Sequence, residues 1–412
     1  MEDSSEEFDV VVVGGGIMGS CTAYELAKRE LKVLLLEQFD LLHHRGSSHG
    51  ESRTIRVTYP EEYYAALVLQ AWRLWEEAES EIGYRVLTRT PHLDIGPAGN
   101  KSLQAVIAGC RSNSIPHRVL DSTQIGDHFS GLFHLPESWI GVYNEQGGVI
   151  RATKALSMFQ TLALKRGAVL RDHMEVKEIK KDELRGGISL SMANGEKIWG
   201  KKCVVTIGAW TKELVKTVRG TVLPIQPLHT TICYWRIKEG MEECFSAGGG
   251  FPTFASYGDP YIYGTPSLEF PGLIKVAVHG GYPCDPDRRT WATDMDCVKR
   301  SICPWIEGRF AGGVKSTEPV VIQSCMYSMT PDEDFVIDFL GGELGKEVVL
   351  AGGFSGHGFK MAPVVGRILA DLAAGGEAPG FDLRYFRLGR FEENPKGNPK
   401  EHEDQVGAQL PP

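Results

Sequence analysis

The sequence lacks the features that would place the chain among metal-binding, membrane-spanning or nucleic-acid-binding proteins. Its nine cysteines, spread from Cys21 to Cys325, include no CxxC pair and no Cys/His set with zinc spacing. We therefore predict scattered reduced thiols and no metal site. No apolar run approaches the roughly 18 residues that a membrane span needs. The formal net charge of -9, without a Lys/Arg tract, argues against nucleic acid and anionic membranes as partners.

Neither end of the sequence carries a familiar targeting signal. The acidic, polar start MEDSSEEF does not resemble a secretory signal or an Arg-rich transit peptide. The last residues, Leu410, Pro411 and Pro412, do not match a peroxisomal signal of the Ser-Lys-Leu type. The segment from about residue 391 onward is polar and rich in Pro, Glu and Lys, and we expect it to be loosely ordered.

Residues 8–37 predict a strand, a glycine turn, a helix and a second strand. FDVVVVG and LKVLLLE are continuous apolar runs, which are typical of strands buried on both faces. Between them, Gly14–Gly19 matches GxGxxG at the opening of a helix. Gly14 allows the tight turn, Gly16 lets the backbone approach a pyrophosphate, and Gly19 lets helix and strand pack closely. Glu37 ends the second strand, where its carboxylate can accept hydrogen bonds from ribose hydroxyls.

The rest of the chain predicts an α/β fold with two domains, because 412 residues exceed what one hydrophobic core usually serves. Helical patterns at 62–83 and 151–166, strand patterns at 168–172 and 201–210, and a strand–turn–helix pattern at 347–374 bracket two β-rich stretches, 86–149 and 221–320. This order predicts one nucleotide-binding domain built from three pieces, with a second domain inserted between them. An NAD enzyme would usually continue in alternating strands and helices, so the interruption after residue 83 favours FAD.

Three longer strings resemble the monomeric sarcosine oxidase and pipecolate oxidase family of glycine-oxidase-like flavoproteins, most of all its plant and animal members. They are GSSHGESRTIRVTY (46–59), CMYSMTPDEDFVID (325–338) and GGFSGHGFKMAP (352–363), in the order of the family. The resemblance implies a Rossmann-like, glutathione-reductase-type FAD fold with an inserted β-sheet-rich substrate domain. The implied pieces are 1–90, 150–220 and 321–390 for the FAD-binding domain, 91–149 and 221–320 for the substrate domain, and a polar tail, 391–412.

The resemblance implies one FAD per chain, attached covalently. The sulfur of Cys325 would bond to the 8α-methyl carbon of the flavin, which suits a thiolate because it is a strong nucleophile. His49 and Arg53 would lie beside the flavin ring. The residues implied to contact the cofactor are Gly14, Gly15, Gly16, Ile17, Met18, Gly19, Glu37, Gln38, Ser47, Arg53, Cys325, Tyr327, Gly356, His357, Gly358 and Lys360.

The resemblance also implies a clamp for the substrate and a set of catalytic groups. Arg56 and Lys360 match the pair that holds the substrate carboxylate, and a buried carboxylate requires such cations. Tyr59 and Phe254 would border the substrate. The implied catalytic residues are Lys275, which would activate oxygen through its charge, together with Arg53, His49, Tyr263 and His279. His279 could equally be a core histidine.

The reaction implied is oxidation of a small secondary-amine amino acid, sarcosine or L-pipecolate. A hydride would pass to the flavin, O2 would be reduced to hydrogen peroxide, and the imine would be released or hydrolysed. Ser48, Ser52, Phe254 and Val278 depart from some relatives and leave the preferred substrate open, because pocket shape sets discrimination. The alternatives are an oxidase of L-proline or other N-alkyl amino acids, a dehydrogenase that uses another acceptor, and a flavin-binding scaffold. The resemblance also implies a monomer in the peroxisome or the cytoplasm.

Overall fold

The computed structural model of the protein describes residues 7–220, 222–292 and 295–400. Its strands are β1 (Phe8–Val13), β2 (Val33–Leu36), β3 (Ser52–Arg56), β4 (Leu87–Pro97), β5 (Arg118–Asp121), β6 (Trp139–Arg151), β7 (Val169–Arg171), β8 (Val176–Lys181), β9 (Ile188–Met192), β10 (Lys197–Val205), β11 (Gln226–Arg236), β12 (Thr253–Ser256), β13 (Ile262–Thr265), β14 (Leu273–Val278), β15 (Tyr282–Pro283), β16 (Val321–Met329), β17 (Val336–Phe339) and β18 (Val348–Gly352).

The helices of the described ranges are mostly short and lie between the strands. They are α1 (Ile17–Ala27), α2 (Glu62–Ile82), α3 (Lys101–Ser112), α4 (Ser122–His128), α5 (Ala152–Lys165), α6 (Thr211–Arg219), α7 (Met295–Cys297), α8 (Cys303–Arg309), α9 (Ala362–Gly375) and α10 (Arg390–Glu393). A π-helix (Val298–Ile302) and 3-10 turns at Gly208–Trp210, Gly342–Leu344 and Phe359–Met361 complete them. In the part of the chain that the structure describes, no helix has the length and apolar character needed to cross a bilayer.

The first sheet is the predicted nucleotide-binding sheet. Its strand order is β17-β18-β10-β1-β2-β7, and β9 and β8 extend it from β10. The neighbours β18, β10, β1, β2 and β7 run parallel, so their carboxyl ends meet at one edge. β1 and β2 are almost fully buried, as their continuous apolar runs predict. The α/β fold class expected from the sequence is confirmed.

Helices α1, α5 and α9 cover one face of the first sheet, and α2 packs on α5 and α9. Together they form the largest apolar core. α2 has an apolar stripe that contains Trp72 and Trp75, and Trp75 is fully buried. Its N–H donates to the backbone oxygen of Lys360 at 2.8 Å. The sequence-based prediction of a helix at 62–83 is therefore confirmed, and this helix also supports a residue of the site.

The second sheet follows the order β15-β11-β14-β13-β12-β4-β6-β3, with β16 on β11 and β5 on β6. Its pairs are antiparallel except for β12 and β4. One face packs on an aromatic core, where Phe254 stacks on Trp305 with ring centroids 5.4 Å apart. β3 lies in the predicted piece 1–90 and β16 in 321–390, yet both belong to this sheet. The division into domains stays a prediction, with these two strands assigned to the second sheet.

Two further expectations need correction. The stretches predicted to be β-rich also contain the helices α3, α4 and α8. In addition, residues 391–400 are not loose. The side chain of Asn398 donates to Asp334 at 2.7 Å, and Lys400 donates to both carboxylate oxygens of Asp334, at 3.0 and 2.9 Å. Polar composition suggested disorder, but here the polar groups pair with buried acids. The remainder of the predicted tail, 401–412, lies outside the described residues.

Candidate active site

One cavity of about 450 Å³ runs from the carboxyl edge of the first sheet to the face of the second. Its size is typical of small-molecule and cofactor sites. Most predicted site residues line it: Gly14, Gly15, Gly16, Ile17, Met18, Glu37, Gln38, Ser47, Arg53, Arg56, Tyr59, Phe254, Tyr263, Lys275, His279, Cys325, Tyr327, Gly356, His357, Gly358 and Lys360. Widely separated stretches of chain therefore border a single cavity.

The glycine turn forms one end of this cavity. Gly14 has a φ of 101°, which favours glycine, and a Cβ there would lie 2.6 Å from the carbonyl oxygen of Thr206. Gly16 is the residue before α1, and as a glycine it has no side chain to cap the helix. The start of α1 thus faces the cavity with its positive dipole end, as a phosphate-binding turn requires. The hydroxyl of Ser48 accepts from the N–H of Ile17 at 3.0 Å and extends this end of the site.

Glu37 stands where the sequence places it, but its carboxylate already has partners. It accepts from the backbone N–H of Gly15 at 2.8 Å and from that of Phe39 at 3.0 Å. These bonds hold the glycine turn against the end of β2. A carboxylate offers about four acceptor positions, so a ribose could still be bound. Glu37 therefore shapes the turn as well as bordering the cavity.

Cys325 and Arg53 contact each other in the lining of the cavity. The guanidinium of Arg53 lies 3.7 Å from the sulfur of Cys325 and donates to the backbone oxygens of Ser52, Ser47 and His49. These bonds fix the cation beside the thiol. Cys325 lies on β16 opposite Thr230 of β11 and lines the cavity.

Lys275 is a buried lysine that also lines the cavity. It is 2 % exposed, donates to the backbone oxygen of Ser52 at 3.1 Å and lies 5.4 Å from the ring centre of Tyr263. Burial, together with the nearby charge of Arg53, lowers the pKa of Lys275 to about 7. Its protonation can therefore change near neutral pH.

Arg56, at the end of β3, and Lys360, in the 3-10 turn Phe359–Met361, both line the cavity. Lys360 donates to the hydroxyl of Tyr59 and to the backbone oxygen of His357, both at 3.0 Å. The guanidinium of Arg56 lies 4.7 Å from the centre of the Tyr59 ring. Burial and the charge of Arg56 place the pKa of Lys360 well below its ordinary value. Arg56 and Lys360 therefore share one wall, and a bound anion would stabilise the charged form of Lys360 and offset its repulsion from Arg56.

Tyr59, expected to border the substrate, is buried and hydrogen-bonded. Its hydroxyl lies 3.3 Å from Nδ1 of His357 and accepts from Lys360. Burial lowers the pKa of His357 to about 3, so the ring is neutral. The tyrosine thus connects the two cations of the wall.

A buried acid–histidine pair, not predicted from the sequence, lies behind Arg56. Oδ1 of Asp94 lies 3.4 Å from Arg56 and 3.0 Å from Nε2 of His92, and the hydroxyl of Thr253 lies 2.8 Å from Nδ1 of His92. Asp94 and His92 are both 0 % exposed. Their spacing of two along β4 was a usable signal, because alternate residues of a strand share a face.

Tyr263, His279 and Tyr327 lie close together in the lining of the cavity. The hydroxyl of Tyr327 donates to that of Tyr263 at 3.5 Å, and the rings of Tyr327 and His279 are 5.4 Å apart. A Cβ at Gly356 would come within 2.8 Å of Tyr327 and 2.9 Å of His279, so the glycine permits this packing. Burial lowers the pKa of His279 to about 4, which makes it a neutral group.

Three of the predicted site residues either lie outside the cavity lining or belong mainly to another part of the structure. Gly19 does not line it, and a Cβ there would overlap the backbone oxygen of Gly14, so it serves helix–strand packing. His49 is buried outside the lining and contacts the site through the bond from Arg53 to its backbone oxygen. Phe254 reaches the lining, but it is mainly part of the aromatic core.

The residues present fit FAD. The cavity is long, with a phosphate-type glycine turn and Glu37 at one end and aromatic, cationic and thiol groups at the other. Thr54, a lining residue that the sequence analysis missed, has an Oγ1 that is buried without a hydrogen-bond partner among the described residues. An unsatisfied buried hydroxyl beside a cavity is expected where a bound molecule supplies the partner.

Comparison with known proteins gives a consistent result over nearly the whole chain. The model of the DAO family, FAD dependent oxidoreductase, matches residues 9–372. A probable sarcosine oxidase of Arabidopsis thaliana is 60% identical over 415 residues, which cover 100% of this chain and 99% of that protein. The peroxisomal sarcosine oxidase of Homo sapiens is 36% identical, with 95% of this chain and 98% of the human protein covered.

A solved structure supports the same fold. The open form of NikD, an amino acid oxidase essential for nikkomycin biosynthesis, superposes with a TM-score of 0.78 at 25% sequence identity. The match covers 92% of this chain and 96% of that chain. The resemblance stated from the three sequence strings is confirmed by these comparisons.

Proposed function

The chain belongs to the DAO family of FAD-dependent oxidoreductases, and on this premise we propose that it oxidises small secondary-amine amino acids, sarcosine or L-pipecolate, with O2 as acceptor. The observation that carries the proposal is the pair of buried cations, Arg56 and Lys360, on the wall of the cavity that begins at the glycine turn. The 60% identity to a probable sarcosine oxidase supports the same substrate class.

The chain's own residues would bind and orient the substrate. Arg56 offers planar, bidentate hydrogen bonds to the carboxylate, and Lys360 adds a point charge. The same positive field disfavours a protonated amine nearby, so the amine would be held in its unprotonated form. FAD, when bound, would accept the electrons released as the C–N bond is oxidised. Tyr263, His279 and Tyr327 would exclude water from this end of the cavity.

Lys275 supports O2 as the acceptor. A buried ammonium fixed by the backbone oxygen of Ser52 is positioned to stabilise negative charge that develops on oxygen. We propose that this residue carries oxygen activation, while Arg53, His49, Tyr263 and His279 shape its surroundings. Replacing Lys275 by Met should slow the reaction of the reduced enzyme with O2 and leave anaerobic reduction by the substrate intact.

Cys325 is proposed as the covalent attachment point of one FAD per chain. Its sulfur lies 3.7 Å from the guanidinium of Arg53, and the residue lines the cavity. After acid precipitation, wild-type protein should stay yellow with flavin mass on a Cys325 peptide, whereas Cys325→Ser should release the colour to the supernatant. Free FAD from the wild type would exclude the linkage.

A substrate panel tests the proposed reaction. Sarcosine, L-pipecolate, L-proline and N-methyl amino acids are compared by hydrogen peroxide formation and by anaerobic bleaching of the flavin. We expect bleaching and peroxide with sarcosine or L-pipecolate. A preference for L-proline would show that the proposed substrate is wrong. Bleaching without peroxide would indicate another electron acceptor. No bleaching with any amine would disprove the function.

We also propose that the protein acts as a monomer in the peroxisome or the cytoplasm. The human relative is named as peroxisomal, which supports the first compartment. Fractionation of cells that produce the untagged chain locates it, and its mass in solution, measured by light scattering, tests the monomer.

A further inference from the structure

The loop between β16 and β17 carries three consecutive acids, and two of them are fully neutralised. Both carboxylate oxygens of Asp332 accept from Arg390, at 2.8 and 3.1 Å. Asp334 accepts from Tyr63 at 2.6 Å and from Lys400 at 2.9 Å. Both acids are at most 5 % exposed, so their charges are buried with partners.

Glu333, between these two acids, is different. It lines the cavity, and its carboxyl group has no hydrogen bond or ion pair to any residue that the structure describes. Its φ of 60° lies in the left-handed region, which a residue other than glycine rarely adopts. The backbone is held there by the flanking acids and by a bond from the N–H of Glu333 to the oxygen of Thr330 at 3.2 Å. The loop therefore supplies one unneutralised carboxyl group to the cavity.

The backbone of Glu333 is connected to the clamp for the substrate carboxylate through His357. Nε2 of His357 lies 3.0 Å from the backbone oxygen of Glu333, and the backbone oxygen of His357 accepts from Lys360. Glu61 and Tyr261 also line the cavity, and both interact electrostatically with Glu333. Glu61 is paired with Lys400 at 3.1 Å. Among these acids, only the charge of Glu333 lacks a paired cation in the described structure.

We infer that Glu333 is a specificity-determining residue, which excludes from the clamp those amino acids that carry a second carboxylate. The inference rests on the proposed function, because it presumes that Arg56 and Lys360 hold a substrate carboxylate. A substrate with a neutral distal group meets no opposing charge beside the clamp. A dicarboxylate brings a like charge toward Glu333 in a site with little water, where such repulsion is strong.

The ionisation of Glu333 gives the selection a pH dependence. Burial and the charge of Glu61 raise the pKa of Glu333 to about 7, against the attraction of Lys400. The other charged or titratable groups around it are Asp332, Asp334, His357 and Tyr261. Discrimination against dicarboxylates should therefore increase as the pH rises through about 7, since the carboxyl group then loses its proton.

Equilibrium binding of unreactive acids to the holoenzyme tests the inference without turnover. Three pairs of equal chain length are titrated while the visible absorption of the flavin is followed: propionate with malonate, butyrate with succinate, and valerate with glutarate. In wild type we expect the dicarboxylate to bind more weakly. In Glu333→Gln the ratio of the two dissociation constants should fall by about tenfold in at least one pair, and its pH dependence should disappear.

Glu343→Gln is the matched control, because Glu343 is exposed and does not line the cavity. It should leave all ratios at the wild-type values. If monocarboxylates bind and Glu333→Gln leaves the ratio unchanged in every pair, the specificity role is wrong while the clamp stands. If monocarboxylates bind to neither protein, the clamp fails, and the inference fails with it.

Discussion

The two ends of the cavity are built by opposite means. At the nucleotide end, contiguous residues Gly14–Met18 present backbone, and the carboxylate of Glu37 is bound to backbone N–H groups. At the substrate end, charged side chains from distant stretches are buried together, with Arg56, Lys275 and Lys360 as the main cations. A turn can be specified locally, whereas a buried charge needs partners from elsewhere in the fold.

The largest effect is expected from a change at the nucleotide end. In Gly19→Val, the new side chain would overlap the backbone oxygen of Gly14, so the turn could not form and bound flavin should be lost completely. Flavin content per chain, from visible absorbance, measures this. Gly99→Val is the control, because a Cβ at Gly99 meets nothing within 4 Å. Full flavin content in Gly19→Val would contradict the account.

Lys275→Met should impair the reaction with O2 and leave substrate oxidation intact. We expect the reaction of the reduced enzyme with O2 to slow by about 10²–10³-fold, as when one electrostatic contact to a developing anion is removed. Anaerobic reduction by the substrate should stay near the wild-type rate. Stopped-flow measurement of the two half-reactions separates them, and an equal loss in both would disprove the role.

The same residue predicts a pH profile. Because the pKa of Lys275 is lowered to about 7, the ammonium is present below that pH and is lost as the pH rises through it. The rate of reoxidation by O2 should accordingly decline above about pH 7 in wild type. In Lys275→Met this decline should be absent, and a decline that persists in the variant would assign it to another group.

Arg56→Gln should weaken the substrate clamp and leave the nucleotide end intact. Loss of one cation from a buried anion site typically costs enough to reduce kcat/KM by about 10²-fold. Flavin content should not change. Arg56→Lys, which keeps the charge but not the bidentate geometry, should recover part of the loss. Unchanged kcat/KM in Arg56→Gln would move the carboxylate site elsewhere.

The smallest effect is expected from Asp94→Asn, which acts through Arg56. Asp94 lies 3.4 Å from the guanidinium and 3.0 Å from His92, so we assign it a positioning role. We expect KM to rise by about tenfold with kcat nearly unchanged, since orientation of the carboxylate is weakened. The melting temperature is measured in parallel. A fall in kcat without a change in KM would exclude this role.

The nucleotide end of the cavity was predicted better from the sequence than the substrate end. The glycine turn, the strand that ends at Glu37 and the helix at 62–83 were predicted from local pattern alone, and the structure has them. The helices α3, α4 and α8 were missed, because Gly- and Pro-rich composition dominated those stretches. The order of residues 391–400 was missed for another reason: Asn398 and Lys400 bind acids more than 60 residues away.

The site residues show where local reasoning ends. Arg56, Lys275, Cys325 and Lys360 were recognised through resemblance, and periodicity alone would have left them as ordinary surface or core groups. His92, Asp94 and Glu333 were not recognised, although the alternation along β4 could have suggested the first two. Nothing local distinguishes Glu333 from Asp332 and Asp334, because the difference lies in which distant cations reach each acid.

By itself, the sequence determined the α/β class, the βαβ unit and the phosphate-type turn, since these depend on glycine stereochemistry and on apolar periodicity within about 30 residues. Which charges are buried together, and which are neutralised, depends on contacts that form only in the folded chain. Electrostatic energy depends on distances between groups far apart in the chain and on the solvent excluded around them. For that reason Asp332 and Asp334 became structural, and Glu333 was left facing the cavity.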